Sequence, residues 1–341
     1  MSTSQGKTRS NQKITMAEIA SLAGVSKPTV SRAMSGSPLV TPETRQRVLA
    51  IAREHGYRVN DSARRLWLNR ANTIAVVLDL PSLPQRRLRE PFHFEIMADL
   101  LHALTDAQQD ALVVGPALET AEQFEALVAS KRVDGLIFVG EGRRHEVFAE
   151  LAEKGVPFVV WGAGDPQGRY VSVGSDNVGG GRLAAERFLK LGRREILFVG
   201  PLEHMEIRQR HEGLAERLAP KRQPQHLAVL EPSDLSFEAS EKAFSQYLDQ
   251  APKMPDAVFC GSDTVAMAVL SVLQRQRIKV PAQTSVIGYD DIPAAAQHAL
   301  TTIRQDTALA GALLVDRIMQ LVTGEEAESS YLPTRLIVRE T

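Results

Sequence analysis

The sequence predicts a two-part fold: a small all-α helix-turn-helix head followed by an α/β body of two parallel-sheet lobes. Three observations carry this. Residues 15–36, TMAEIASLAGVSKPTVSRAMSG, hold two short helical stretches, the first with one apolar face, joined at a glycine. From Ile74 onward, Val-, Ile- and Leu-rich runs alternate with amphipathic stretches, as parallel strands buried on both faces do. The charge also changes sign along the chain. Residues 1–70 hold 12 Lys and Arg against 4 Asp and Glu, leaving 28 basic and 37 acidic residues in the rest. A basic head on an acidic body fits a phosphate-binding module joined to something else.

A chain of 341 residues, 43% hydrophobic and 24% charged, is too long for one ordinary core. No apolar run approaches the roughly 18–20 residues that span a membrane. The opening stretch MSTSQGKTRSNQK is polar and basic, so residues 1–13 read as a disordered arm and not as a secretory signal. The one cysteine, Cys260, cannot form an intrachain disulfide, which suits a reducing cytoplasm.

The head is expected over residues 14–58. Thr15 and Glu18 have capping-box spacing, and Met16, Ile19, Ala20 and Ala23 form one helix face. Gly24 suits a left-handed turn. Ser26 caps a second helix that tolerates Pro28 in its first turn. That helix begins Lys27, Pro28, Thr29 and carries Ser31 and Arg32 on its outer side, where a recognition helix meets a major groove. Thr41-Pro42 opens a third helix, burying Val48, Leu49, Ile51 and Ala52, and His55-Gly56 stops it. Residues 59–71 then read as a hinge helix and linker, capped at Asp61 or Ser62 and too short to persist alone. Arg64, Arg65 and Arg70 beside Leu66 and Trp67 suit a segment that folds against DNA; the alternative is an ordinary linker with a core-facing leucine.

In the body, residues 72–341, strands are expected at TIAVVLDL, ALVVG, GLIFVG, FVVWG, YVSVGSD, EILFVG, HLAVLE, AVFCGSD, SVIGYDD and a last one near Leu332–Val338. Helices fall between them, the final one from Ala308 to Val322. Ligands bind outside the carboxyl ends of such strands. Trp161, Ser175-Asp176, the loop before Arg208 and Arg210, Gly261-Ser262-Asp263 and Tyr289-Asp290-Asp291 are therefore the residues to watch. Catalytic and metal signals are weak. Gly179-Gly180-Gly181-Arg182 lacks both Walker and dinucleotide spacing and reads as close backbone packing. The eight histidines form no HExxH, and there is no CxxC and no GxSxG.

The words AxxAGVSxxTVSR, and the chain from Ile14 to the closing LPTRLIVRET, resemble the lactose/galactose-repressor (LacI/GalR) family of bacterial transcription regulators. The resemblance implies a body built like a periplasmic sugar-binding protein, with a ligand between two lobes and three chain crossings. By analogy, lobe 1 is about 72–163 and 293–322, and lobe 2 about 164–292 and 323–341.

On the DNA side, Lys27, Pro28 and Arg32 match the family's base-reading positions. Arginine forks onto guanine O6 and N7, and Pro28 offers only apolar contact. Thr29 and Ser31 are placed as phosphate contacts, with Thr15 and Ser26 at the helix starts in the same DNA-binding set. Asn60, Ala63, Arg64 and Leu66 are the hinge contacts, Leu66 matching the family leucine that wedges into the minor groove. Val59 stands where many members have a proline.

On the effector side, Arg210 matches the arginine that grips the ligand and Asp290 the acid opposite it. Asp176, Ser262 and Asp263 lie in the corresponding strand-end loops, and Phe92 and His93 in the first-lobe contact region. Three of these carry a second reading: Trp161 as a stacking platform or a packing residue, Arg210 as a ligand or a surface ion pair with Glu206 or Glu203, Asp263 as a ligand or a helix cap. The implied protein is a cytoplasmic, homodimeric repressor of a pseudo-palindromic DNA operator, answering to a small ligand, with no cofactor, no metal and no catalysis. A solute-binding protein and a sugar-processing enzyme on the same lobes are the rival classes.

Overall fold

Among the described residues three helices form the head, and each begins where the sequence supplies a cap. In α1 (Met16–Ala23), Glu18 N donates to Thr15 Oγ1 at 3.4 Å while Thr15 N donates to a Glu18 carboxylate oxygen at 2.7 Å. Gly24 ends the helix at φ 62°, a left-handed conformation costly for any residue with a Cβ. In α2 (Lys27–Met34), Thr29 N donates to Ser26 Oγ at 3.3 Å. In α3 (Pro42–Glu54), Thr44 N donates to Thr41 Oγ1. Ile19, Ala20, Ala23, Val30, Ala33 and Val48 close over one another as a small core.

The computed structural model describes residues 14–34, 37–57, 70–78, 91–115, 118–142, 144–219, 226–251 and 253–341. The expected arm and the hinge residues Val59, Asn60, Ala63, Arg64 and Leu66 lie outside them. The chain divides into two compact units, Met1–Arg70 and Ala71–Thr341.

The described residues of the body hold two six-stranded sheets. The first has the order β11 (Ser330–Leu332), β5 (Ser172–Ser175), β4 (Phe158–Trp161), β3 (Gly135–Val139), β1 (Thr73–Leu78), β2 (Asp110–Val114), and all its pairings are parallel. The second has the order β12 (Arg335–Ile337), β10 (Thr301–Arg304), β9 (Ser285–Asp290), β8 (Ala257–Cys260), β6 (Glu195–Val199), β7 (His226–Leu230). It is parallel apart from β12, which runs antiparallel to β10. Helices α4 (Phe92–Asp106), α5 (Ala121–Ala129) and α6 (His145–Glu153) follow strands of the first sheet. After β5 come α7 (Asn177–Lys190), then α8 (Met205–Leu218), α9 (Phe237–Gln250), α10 (Asp263–Arg275), the short α11 (Pro293–Gln297) and α12 (Thr307–Thr323). Both faces of each sheet are covered, so central strands such as β1 and β3 are apolar and buried throughout, as parallel strands must be.

The lobe boundaries fall later than expected. β5 belongs to the first sheet, with Val160 opposite Ser172 and Trp161 opposite Val173, so the first crossing follows Ser175 and not Ala163. The second follows β10, which lies in the second sheet, so residues 293–304 leave lobe 1. The third falls between β11 and β12. The single last strand expected near Leu332–Val338 is therefore two short strands in different sheets. Pro333, which has no N–H for a ladder, marks the switch.

Two close approaches depend on glycine. At Gly181 a Cβ would run into the backbone carbonyl of Arg210, and at Gly213 into that of Val178, so α7 and α8 meet backbone to backbone. This is what the glycine cluster after Asp176 does. At Gly311 a Cβ would lie 2.9 Å from the α4 backbone at Asp99 and Leu100, which brings α12 against α4.

Candidate functional site

Two surfaces carry the chemistry expected from the sequence. On the head, Lys27, Pro28, Ser31 and Arg32 are exposed along one side of α2, while Val30 and Ala33 are buried on the other. Spacing of one, four and five residues puts the exposed four on one helical face. The Lys27 and Arg32 side chains carry hydrogen-bond donors and no acceptor atoms, which suits the acceptor-rich edges of guanine and phosphate. Ser26 and Thr29 bond each other through their hydroxyls at 2.8 Å, and Thr15 is engaged with Glu18. These three hydroxyls set the starts of α1 and of α2, the helix that carries the cationic face.

In the body, a cavity of about 450 Å³ opens where the two sheets meet. Phe92 and Glu95 of α4 line one side, and Asp290, Asp291 and Ile292 at the end of β9 line the other. The crossings from β10 to α12, through Gln305 and Asp306, and from β11 to β12, through Pro333 and Arg335, complete it. Residues from both lobes and two of the three crossings thus share one wall.

Arg210, 6% exposed, stands behind Asp290. Its Nε donates to Asn177 Oδ1 at 2.9 Å and its Nη1 to the Gly261 carbonyl at 2.5 Å. The guanidinium lies 3.6 Å above the Tyr289 ring and 4.0 Å from Asp290 Oδ1. Burial and these partners exclude the surface ion pair with Glu203 or Glu206. Asp290 accepts from Gln305 Nε2 at 2.6 Å. Its backbone has φ 113°, and Asp291 follows at φ 58°. Backbone strain at a non-glycine residue persists where the surroundings over-determine it, and such positions gather at ligand clamps. Asp291 holds the turn, taking Arg304 Nε and Arg339 Nη2 at 2.6 Å each.

The other residues singled out in the sequence fall in different places. Trp161 is buried, with its ring 6.2 Å from that of Phe92, inside the apolar core. His93 is half-buried beside Phe92 at 6.4 Å. Ser262 caps α10, accepting from Val265 N. Asp263 is 0% exposed and is not the cap. One of its oxygens accepts from Ile292 N at 2.9 Å and the other from Thr302 Oγ1 at 2.6 Å. Burial, and then the nearby Asp290, push its carboxyl well above the ordinary range. Asp263 therefore ties the Asp290 turn to β10 from beneath. Asp176 caps α7 through Gly179 N at 2.7 Å and lines a separate hollow of about 240 Å³ with Arg182 and Thr334.

Sequence reasoning missed Asn177 and Gln305, which together with Tyr289, already singled out at its strand end, fix the Arg210–Asp290 pair. Asn177 and Gln305 each directly follow a strand-end residue, the one local signal available. It also missed Glu141, just past β3. That carboxyl is 2% exposed; Oε1 accepts from Gly164 N at 2.6 Å and Oε2 is buried without a hydrogen-bond partner. Burial first, then Glu206, push it up to about 8. Among the described residues no three His, Cys, Asp or Glu side chains gather as a metal site, and no helix is long and apolar enough to cross a membrane.

Comparison with known proteins matches residues 15–60 to the bacterial regulatory proteins of the lacI family and residues 185–341 to a periplasmic binding protein-like domain. The transcriptional regulator CelR of Thermobifida fusca is 33% identical over 336 residues, covering 96% of this chain and 98% of that protein. The lac repressor dimer bound to operator and the anti-inducer ONPF superposes with a TM-score of 0.81 at 26% identity, over 97% of this chain and 99% of that one. A complex of CelR with cellobiose gives 0.68 at 30% identity, over 96% and 99%.

Proposed function

The chain belongs to the lacI family of bacterial regulatory proteins, and from that premise we propose that it represses transcription from a pseudo-palindromic operator under the control of a sugar bound between its lobes. The observation that carries this reading is the cavity wall shared by α4, the end of β9 and two crossings. A ligand seated there touches both lobes, so it has different affinities for different lobe orientations. Differential affinity is all that a population shift requires. The exposed Lys27, Pro28, Ser31 and Arg32 face supplies base and phosphate contacts, Arg32 reading guanine.

A second copy doubles the reading of the major groove and makes the operator two-fold, so the working unit is a homodimer. The likeness to the lac repressor dimer on its operator supports this. The likeness to the CelR–cellobiose complex supports a carbohydrate as the ligand. The relatives named above are transcriptional regulators, which supports a non-enzymatic role.

Selection of bound sequences from random duplex DNA tests the reading. A pseudo-palindrome with a deformable central step such as CG is expected. Recovery of no preferred sequence at physiological salt would leave only phosphate attraction and overturn it.

A further inference from the structure

We infer that the cavity between the lobes is built for an uncharged polyhydroxylated ligand, and that it rejects the phosphorylated and acidic forms of the same sugars. This rests on the reading of the cavity as the effector site and narrows its ligand class.

In a parallel α/β body, helix N-termini point to the ligand crevice, and a free N-terminus is a ready anion site. Here acidic side chains stand in the first turns of these helices or cap them. Glu95 sits in the first turn of α4, and Asp306 caps α12 by accepting from Leu309 N at 3.0 Å; both line the cavity. In the second lobe Asp176 caps α7, and Glu206 lies in the first turn of α8. Such residues stabilise their helices, and the same placement leaves an incoming phosphate or carboxylate facing like charge.

The cationic side of the site is also engaged. Arg210 donates through Nε to Asn177 and through Nη1 to the Gly261 carbonyl and already faces the carboxylate of Asp290 at 4.0 Å, and Arg304 is bonded to Asp291. Of the arginines lining the cavity, Arg335 remains as a counter-charge to Glu95 and Asp306. Hydroxyl groups meet none of these obstacles. They donate to carboxylates such as Asp290 and accept from amides such as Gln305.

Calorimetric titration of the full chain with two matched series tests this. One series is uncharged: glucose, ribose, maltose and cellobiose. The other is charged: glucose 6-phosphate, ribose 5-phosphate, glucuronate and cellobionate. An uncharged sugar is expected to bind, with its charged counterpart weaker by about a hundredfold, the scale of like-charge juxtaposition in a desolvated site. In the doubly substituted Glu95→Gln, Asp306→Asn chain, where asparagine preserves the cap, that gap is expected to shrink by about tenfold. Binding confined to the charged series, or an unchanged gap in the double variant, overturns the inference and leaves the carbohydrate reading standing. Silence of both series at millimolar concentration overturns the carbohydrate reading, and this inference with it.

Discussion

Arg210 and Asp290 face each other across 4.0 Å, and each is steadied by a neutral amide: Asn177 for the arginine, Gln305 for the aspartate. Neither charge is left alone in the buried space, yet neither is locked in a tight bidentate pair. An arginine 6% exposed and so placed is poised to exchange partners when a polyol enters.

Arg210→Ala is therefore expected to abolish effector binding while sparing operator binding by the head. The loss should reach about 2–5 kcal/mol in ligand affinity, because the change leaves Asp290 buried against no cation. Arg210→Lys should recover little, since an ammonium cannot serve Asn177, Gly261 and a ligand in one plane. Calorimetry showing normal affinity in either variant would end this assignment.

Asp263 supports the site from beneath. Asp263→Ala orphans the Ile292 N–H and the Thr302 hydroxyl, both buried, and should lower stability by about 2–4 kcal/mol. Asp263→Asn, which keeps an acceptor, should cost less. Urea midpoints equal to wild type for the alanine variant would contradict this.

Gly213→Ala tests the contact of α7 with α8. The added methyl meets the Val178 carbonyl, and backbone cannot swing aside as a side chain can. A loss of about 1–3 kcal/mol is expected in chemical denaturation. A neutral substitution would show the helices to be less close than described.

Glu141 predicts a pH dependence. Its carboxyl is raised from 4.5 to about 8 in the folded chain, so the folded state holds the proton more tightly than the unfolded one. The contribution is fully present below about pH 4.5 and is lost as pH rises through 8, at most about 1.4 kcal/mol per pH unit. Glu141→Gln should remove that slope, so its advantage over wild type should grow between pH 6 and pH 8. Parallel profiles of unfolding free energy for the two chains would refute the assignment.

Arg32→Ala should flatten preference among operator variants by about 1–3 kcal/mol at one base position, with a smaller loss on unrelated DNA. Unchanged discrimination in a binding titration would remove Arg32 from the base-reading set.

Much of this was legible because local chemistry and tertiary structure agree. Thr15, Glu18 and Gly24 bound α1 by capping rules that act within a few residues. Alternation of apolar runs with amphipathic helices marked nearly every body element. β10 was overlooked because TTIR hides its burial: Thr301 and Thr302 satisfy their hydroxyls on Thr341 and Asp263, so hydropathy shows nothing. Asn177 and Gln305 escaped because neutral amides carry no pattern, and their partners lie 33 and 15 residues away. The lobe boundaries were misplaced because the analogy put the crossings at the wrong loops. The pairing of β5 and β10 that corrects them is non-local.

The central claim is that a ligand between the lobes changes how tightly the head holds DNA. The most direct measurement is operator affinity by fluorescence anisotropy, with and without a saturating sugar, for the wild-type chain and Arg210→Ala. The account predicts a shift of at least about fivefold in the wild type, the lower end of ordinary allosteric coupling, and none in the variant. A sugar that binds the wild type by calorimetry yet leaves its operator affinity unchanged would contradict it.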